Sequence, residues 1–208
     1  MSGDSSRPAL SAAILAAGAA RRMGREKLLL AVRGEPLLRG IVREVVALGL
    51  SEILVVANEQ NCPAVRAALS DLPVDVLLNP RATEGMGTSI ALAASSVAAR
   101  SRAMLLLQGD QPFVDRAMLR TLLAEWQRAA PDFVASVYDG VVTTPVLFAR
   151  HLIDELRGLD GDGGAKSVLE RHWRSGRVIA FHSWRGFDVD TPEDYERARQ
   201  LSRSARKR

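Results

Sequence analysis

The sequence predicts a single α/β domain in which helices cover both faces of a mostly parallel central sheet. Three observations point that way. Short apolar runs recur along the chain, at 11–17 (SAAILAA), 52–57 (EILVVA), 74–78 (VDVLL), 103–108 (AMLLLQ), 133–137 (FVASV) and 178–181 (VIAF). Segments of helical period separate several of these runs, and residues that start helices stand where such segments begin. A strand buried on both faces has no water-facing side and reads as an uninterrupted apolar run, the pattern of a parallel sheet between two helical layers.

The elements follow in order. The run at 11–17 is the first strand and ends in Ala16-Ala17-Gly18, small residues that let the chain turn tightly. After 52–57 come Cys62 and Pro63 at a helix start, where Cys62 reads as a surface or packing residue rather than a nucleophile. The run at 74–78 leads through Asn79-Pro80 and Glu84 to Gly85-Met86-Gly87-Thr88-Ser89 and the alanine-rich helix IALAASSVAA. The run at 103–108 is the most apolar and is expected to be the central strand, closed by Gly109-Asp110-Gln111-Pro112. Asp115 caps a helix reaching about Ala129, and Thr191, Pro192 and Asp194 form a capping box with proline at the first helical position. The ordered core is expected over about residues 12–201, with the first residues and the basic tail beyond Leu201 flexible because they are polar and aperiodic.

Bulk properties narrow the function. At 208 residues and 47% apolar content, the chain fits one domain with a continuous core. Its 28 Lys and Arg against 24 Asp and Glu leave only +4, part of it in the terminal SRSARKR, and only 5% of residues are aromatic. Without a basic run interleaved with aromatics, nucleic acid is not an expected partner. The single cysteine, Cys62, excludes an internal disulfide, argues against a cysteine-based metal site and fits a reducing cytoplasm. No run approaches the roughly 18 apolar residues of a membrane span, and MSGDSSRP is no secretion signal, so a soluble cytoplasmic protein is expected.

In open parallel sheets, ligands collect beyond the carboxyl ends of the strands. After the first strand, Ala16-Ala17-Gly18 is followed by Arg21, Arg22, Arg25 and Lys27. Small residues let successive N–H groups approach an anion, and the cations add charge-assisted bonds to phosphate oxygens. The stretch matches neither the P-loop nor the dinucleotide fingerprint. A tight turn with a solvated basic face is the other reading. At Gly85 to Ser89, exposed backbone donors and hydroxyls suit a base edge, a ribose or a phosphate; helix shaping and capping by Gly87 and Thr88 is the alternative. Asp110 at a strand end is a Mg²⁺ candidate, or an Asx-turn. Asp188 and Asp190, two apart in FDVDTPED, share one side of an extended segment and repel unless a cation lies between them. Asp190 is the second metal candidate, or a support for the helix start at Thr191.

His151, His172 and His182 have no spacing that suggests a triad or a metal cluster. With no G-x-S-x-G present, acyl transfer by a serine nucleophile lacks support.

Four loops in this order, LAAGAARRMGREK, GMGTS, GDQP and DVDTPED, resemble those of the molybdenum-cofactor nucleotide transferases, most of all the cytidylyltransferases among them. The likeness spans about Ala12 to Leu201. It implies a Rossmann-like nucleotidyltransferase domain that moves a nucleoside monophosphate from a triphosphate to an acceptor phosphate. By that resemblance Leu15, Ala16, Ala17 and Gly18 face the nucleotide, Arg22 and Lys27 its phosphates, and Gly85, Gly87, Thr88 and Ser89 the nucleoside. Asn79 and Gly109 complete the nucleotide side, Asp110 and Asp190 hold Mg²⁺, and Arg22, Lys27 and Asp110 are the catalytic groups. LAAG looks like the cytidylyl form of the first loop, where guanylyl relatives carry LAGG, which makes Ala17 the CTP-leaning position.

On the acceptor side the resemblance implies Gln111, Pro145, Gly164 and Lys166. Lys166, in GDGGAKSVL, replaces the family's usual arginine and loses its bidentate geometry. Thr144, in TTPVLF, occupies a position often filled by histidine. The implied partners are CTP and a molybdopterin-type acceptor, with a molybdoenzyme or its maturation chaperone downstream, and no membrane. Two other functions fit the same residues: a GTP- or CTP-dependent transferase acting on another small phosphate or sugar phosphate, and a non-catalytic module that binds and delivers cofactor.

Overall fold

The computed structural model describes residues 9–18 and 27–205. Along the chain run β1 (Leu10–Leu15), a small hairpin of β2 (Ala31–Val32) and β3 (Glu35–Pro36), α1 (Leu37–Val46), β4 (Glu52–Ala57), α2 (Cys62–Ala68), β5 (Asp75–Leu78), α3 (Met86–Ser96) and β6 (Ala103–Gln108). There follow α4 (Arg116–Ala129), β7 (Phe133–Tyr138), β8 (Val141–Ala149), α5 (Arg150–Leu156), α6 (Lys166–Arg171), β9 (Arg177–Ala180) and α7 (Pro192–Ala205). Seven strands form the main sheet in the order β5-β4-β1-β6-β8-β7-β9, and β8 alone among them runs antiparallel to its neighbours.

Alternation along β1 shows why the apolar runs are continuous. Leu10, Ala12 and Ile14 join a core with α1, α2 and α4, whereas Ala13 and Leu15 join a second core with α3, α5 and α6. Both faces of the sheet are therefore covered by helices, and β6 is its middle strand. The chain leaves β1 toward β4 and β5 on one side, then returns to β6 on the other. That reversal is the switch point at which an open sheet parts its strand ends into a crevice.

The segment 141–149, absent from the apolar runs of the sequence, forms β8 although it contains two threonines and a proline. Tyr138-Asp139-Gly140-Val141 makes the tight turn into it, with φ of 48° at Asp139 and 80° at Gly140, the left-handed pair that Asp-Gly supplies at low cost. Pro145 is tolerated because the β7–β8 register jumps from Ala135↔Val146 to Ser136↔Thr143, so Thr144 and Pro145 sit in a bulge.

Asp115 accepts from the Met118 N–H at 3.0 Å and caps α4, as its sequence suggested. At α7, Asp194 Oδ2 accepts from the Thr191 N–H at 3.0 Å, and Thr191 Oγ1 accepts from the Asp194 N–H at 3.1 Å, a reciprocal box. The expectation of a loose chain beyond Leu201 is corrected: α7 continues to Ala205, with Ser202 buried and its hydroxyl bonded to the Ala198 carbonyl at 2.8 Å. Ala198 packs with Val32, Leu37, Phe113 and Val189 in a third small core, which gives a polar helix the apolar contact it needs.

Two glycines test this packing in opposite directions. A Cβ on Gly176 would lie 2.1 Å from the ring of the fully buried Phe133, so Gly176→Ala should lose about 2 kcal/mol by overpacking. Gly40, inside α1, has its nearest obstruction at 3.8 Å, and Gly40→Ala should gain about 0.5–1 kcal/mol. Urea denaturation midpoints of the two variants, moving to opposite sides of the parent, check both.

Candidate functional site

β1 and β6 end side by side, with Leu15 opposite Gln108. A cleft of about 550 Å³ opens there, lined by Leu15 to Gly18 from the first strand, Gln108 and Asp110 from the sixth, and Gly85, Met86 and Ser89 from the start of α3. The loop after β1 is held by groups that the sequence did not flag. Asn58 and Asn61 donate to the carbonyls of Ala17 at 3.0 Å and Ala16 at 2.9 Å, and each asparagine accepts from the other's backbone N–H. The two asparagines in ANEQN after β4 were the available signal.

Lys27 begins a short 3₁₀ turn and is buried, yet it carries the charge on which the site is organised. Its Nζ lies 2.7 Å from Asp110 Oδ2 and 2.8 Å from Asp190 Oδ1. Burial alone would lower its pKa; the charges and hydrogen bonds of Asp110 and Asp190 outweigh that and raise it above the ordinary lysine value. The two carboxylate segments are also joined directly, since the Val189 N–H donates to the Asp110 carbonyl at 3.1 Å. Thr191 and Asp194 supply the α7 cap, which leaves the Asp190 side chain turned to Lys27.

Next to this pair, the Asp188 carboxyl is pushed up to about 6, by burial first and then by the negative charge of Asp110 and Asp190, against the pull of Gln111 and Lys27. Asp188 keeps solvent access, so water offsets part of the burial effect and the like-charge repulsion persists. Asp110 Oδ1 is buried with no hydrogen-bond partner. A buried anionic oxygen left over beside a crowded carboxylate group is the setting that suits a hard divalent cation. Asp110 and Asp190 are the residues that could hold it, with Asp188 beside them.

Several expected nucleotide residues sit behind the cleft. Asn79 is buried and donates to the Thr88 and Ser89 hydroxyls at 3.0 and 2.9 Å, fastening the β5–α3 loop. Thr88 Oγ1 lies within hydrogen-bond distance of the Arg81 and Gly85 carbonyls, at 3.0 and 2.9 Å. At Gly85, with φ of 127°, a Cβ would fall 2.2 Å from the Gly161 carbonyl carbon; at Gly87 it would fall 2.6 Å from the Asp160 oxygen. These glycines admit the 160–162 backbone, and Gly87 N donates to the Gly161 carbonyl at 2.7 Å. Gly109 fits beneath the β1 end, its N–H bonded to the Leu15 carbonyl at 2.9 Å. Gly85 and Ser89 do reach the cleft, as does Asp162, which sequence reasoning placed only on the acceptor border. Arg22, with Arg21 and Arg25, lies outside the described residues.

A second cleft of about 590 Å³ shares Leu15, Met86 and Gln108 with the first and is walled by residues 141–144 of β8, residues 163–166 and Trp173. Gly164 and Lys166 line it. Gln111 and Pro145 do not: the buried Gln111 accepts from the Thr144 hydroxyl at 3.2 Å, and the Pro145 carbonyl accepts from Ser136 at 2.9 Å. Gln108 and Met86, at the junction of the clefts, were missed, because neither residue type signals chemistry. His151 and His172 meet Asp132, a convergence that their separation in sequence hides. Among the described residues, no helix is long and apolar enough to cross a membrane.

Residues 12–177 match the MobA-like NTP transferase domain. Over 206 residues the chain is 29% identical to the purine catabolism protein PucB of Bacillus subtilis, covering 93% of this chain and 97% of that one. It is 29% identical over 200 residues to a probable molybdenum cofactor guanylyltransferase of Opitutus terrae, with 92% and 96% covered. The crystal structure of Rv0371c from Mycobacterium tuberculosis superposes with a TM-score of 0.81 at 29% identity over 92% of this chain and 98% of that one. A manganese complex of Rv0371c gives a TM-score of 0.78. With the matched domain spanning most of the chain and its strand-end loops gathered at the switch point of the same fold, the protein belongs to the MobA-like NTP transferase family.

Proposed function

We propose that this nucleotidyltransferase moves CMP from CTP to the phosphate of molybdopterin or its molybdenum form, releasing pyrophosphate. The observation that carries the reading is the grouping of Lys27, Asp110 and Asp190 at the cleft beside the β1 loop. The triphosphate would lie along residues 15–18, where small side chains let the main chain approach it, with the Lys27 charge at hand for its phosphates. In the adjoining cleft the acceptor would place its phosphate toward Gln108, where the two clefts meet. An acceptor oxygen then forms a bond to the α-phosphorus as the bond to the bridging oxygen breaks and pyrophosphate departs with the electron pair. No protein nucleophile is required.

Mg²⁺, held by Asp110 and Asp190, would neutralise charge on the phosphate oxygens. Manganese in the Rv0371c complex supports a divalent ion in this family. Ala17 lines the nucleotide cleft, and the likeness of LAAG to the cytidylyl form of this loop supports CTP over GTP. Lys166 and Thr144 line the acceptor cleft in place of the expected arginine and histidine. That favours, as a second reading, another small phosphate or sugar phosphate as acceptor. A delivery module without catalysis has less support, because a passive holder needs no unpartnered carboxylate oxygen. Pyrophosphate release from CTP and GTP, with and without a molybdopterin acceptor, separates the three.

Three outcomes are expected. Asp110→Asn should lower kcat at least a hundredfold, about 3 kcal/mol, with an unchanged circular dichroism spectrum; turnover within threefold of the parent would remove Asp110 from the chemistry. Ala17→Gly should shift kcat/KM toward GTP by about tenfold, and an unchanged CTP/GTP ratio would show that this loop does not read the base.

The third concerns Asp188. Its pKa is raised from 3.8 to about 6, so the folded state binds more protons than the unfolded chain between those values. In chelator, the parent should be most stable below about pH 4 with respect to this group and lose that contribution as pH rises to about 6. Asp188→Asn should flatten that part of the Tm-versus-pH curve; two parallel curves would place the titration elsewhere.

A further inference from the structure

We propose that Asp132, His151 and His172 form a second metal site, remote from the nucleotide cleft, for a borderline divalent ion of the zinc class. Three elements bring them together: Asp132 lies in the turn between α4 and β7, His151 in the first turn of α5, and His172 at the end of α6. Among the described residues theirs is the one group of three or more potential ligands whose donor atoms all fall within 4.8 Å of one another. His151 Nε2 lies 3.1 Å from Asp132 Oδ1, and His172 Nδ1 lies 3.2 Å from Asp132 Oδ2. Bonds of about 2.0–2.1 Å around a tetrahedral ion set neighbouring ligand atoms roughly 3.3 Å apart; one donor from each of the three residues lies within 4.8 Å of the others, so a small side-chain movement closes the set on an ion.

The surroundings orient the ligands. His172 Nε2 is 2.6 Å from Glu155 Oε1, and a carboxylate that takes this N–H leaves the Nδ1 lone pair facing Asp132. Glu155 is in turn held by Arg171 at 2.8 Å. Ser175 Oγ donates to Asp132 Oδ2 at 2.6 Å, which leaves Oδ1 for an ion on the His151 side. The Asp132 backbone is pinned by the Ser175 carbonyl at 3.1 Å and the Ala149 N–H at 2.8 Å. His151 is 57% exposed while Asp132 and His172 are each 25% exposed, so one side is left open for a water as fourth ligand. Two imidazole nitrogens with one carboxylate select zinc, cobalt or nickel over magnesium or calcium, which prefer oxygen donors.

The site stands at the opposite end of the strands from the nucleotide cleft, just before β7, whose six residues span roughly 20 Å. Its reach is wider than its size. Trp173 follows His172 and lines the acceptor cleft, as does Lys166 at the start of α6. An ion on His172 would fix that wall.

The test is equilibrium dialysis of chelator-stripped protein against Zn²⁺ in a large excess of Mg²⁺. We expect one zinc per chain, kept by Asp110→Asn and weakened at least tenfold in His151→Ala and His172→Gln. The Tm of the parent should rise by about 5 °C at a hundredfold excess over Kd, and that of His151→Ala should not. A visible tetrahedral band on replacing zinc by Co²⁺ should vanish with the same histidines. Should His172→Gln fold poorly, the exposed His151 still gives a clean variant. No retained zinc in the parent, or equal zinc in parent and His151→Ala, would reduce the cluster to an ion-pair network.

Discussion

The Lys27 ammonium joins three segments that are far apart in the chain, since its partners Asp110 and Asp190 lie 83 and 163 residues away. Its side chain is 10% exposed and that of Asp110 15%, so neither charge is stabilised chiefly by water. Breaking such a pair by removing one partner leaves a buried uncompensated charge at a cost of about 3–5 kcal/mol. The loop after β1, the end of the central strand and the approach to α7 are thus fixed to one another by a single cation. Without it, two carboxylates and a crowded Asp188 would push the same elements apart.

Around that charge the architecture is made of main chain. Asn58 and Asn61 hold the carbonyls of residues 16 and 17, Gly109 hangs from the Leu15 carbonyl, and Gly87 hangs from Gly161. Larger side chains would have separated these backbones, which is why alanine and glycine are dense here. Glycine in GMGTS thus has a packing reason in the protein as it stands. The helix it opens carries Ser89 at the cleft, fastened from behind by Asn79 of the preceding loop.

Much of this was legible. All six apolar runs are strands; in the inner ones, residues such as Leu10 to Leu15 or Ala103 to Leu107 are buried on both sides, and burial of that kind needs no context to be read, while the edge strands β5 and β9 are only partly covered. Lys27, Asp110 and Asp190, singled out as charges in the loops beyond the strands, do come together in the fold. β8 was not, because its proline is acceptable only through a bulge that depends on β7. Gln108, Met86 and Asp162 owe their place to which loops meet, and nothing in their chemistry announces it. The histidines failed for the same reason. His151 and His172 are 21 positions apart with no ligand spacing between them, and only the docking of α5, α6 and the Asp132 turn makes them neighbours.

The β7–β8 hairpin separates two kinds of inheritance. Its tip, Asp139-Gly140, is a surface turn whose Gly140 lines the second cleft, and Val141 beside it is 63% exposed. Residues 141–144 wall the second cleft but not the one beside Lys27. Lengthening or recolouring this tip reshapes one wall of the second cleft while leaving Lys27, Asp110 and the β1 loop in register. A surface turn can therefore vary freely beside the charged centre without disturbing it.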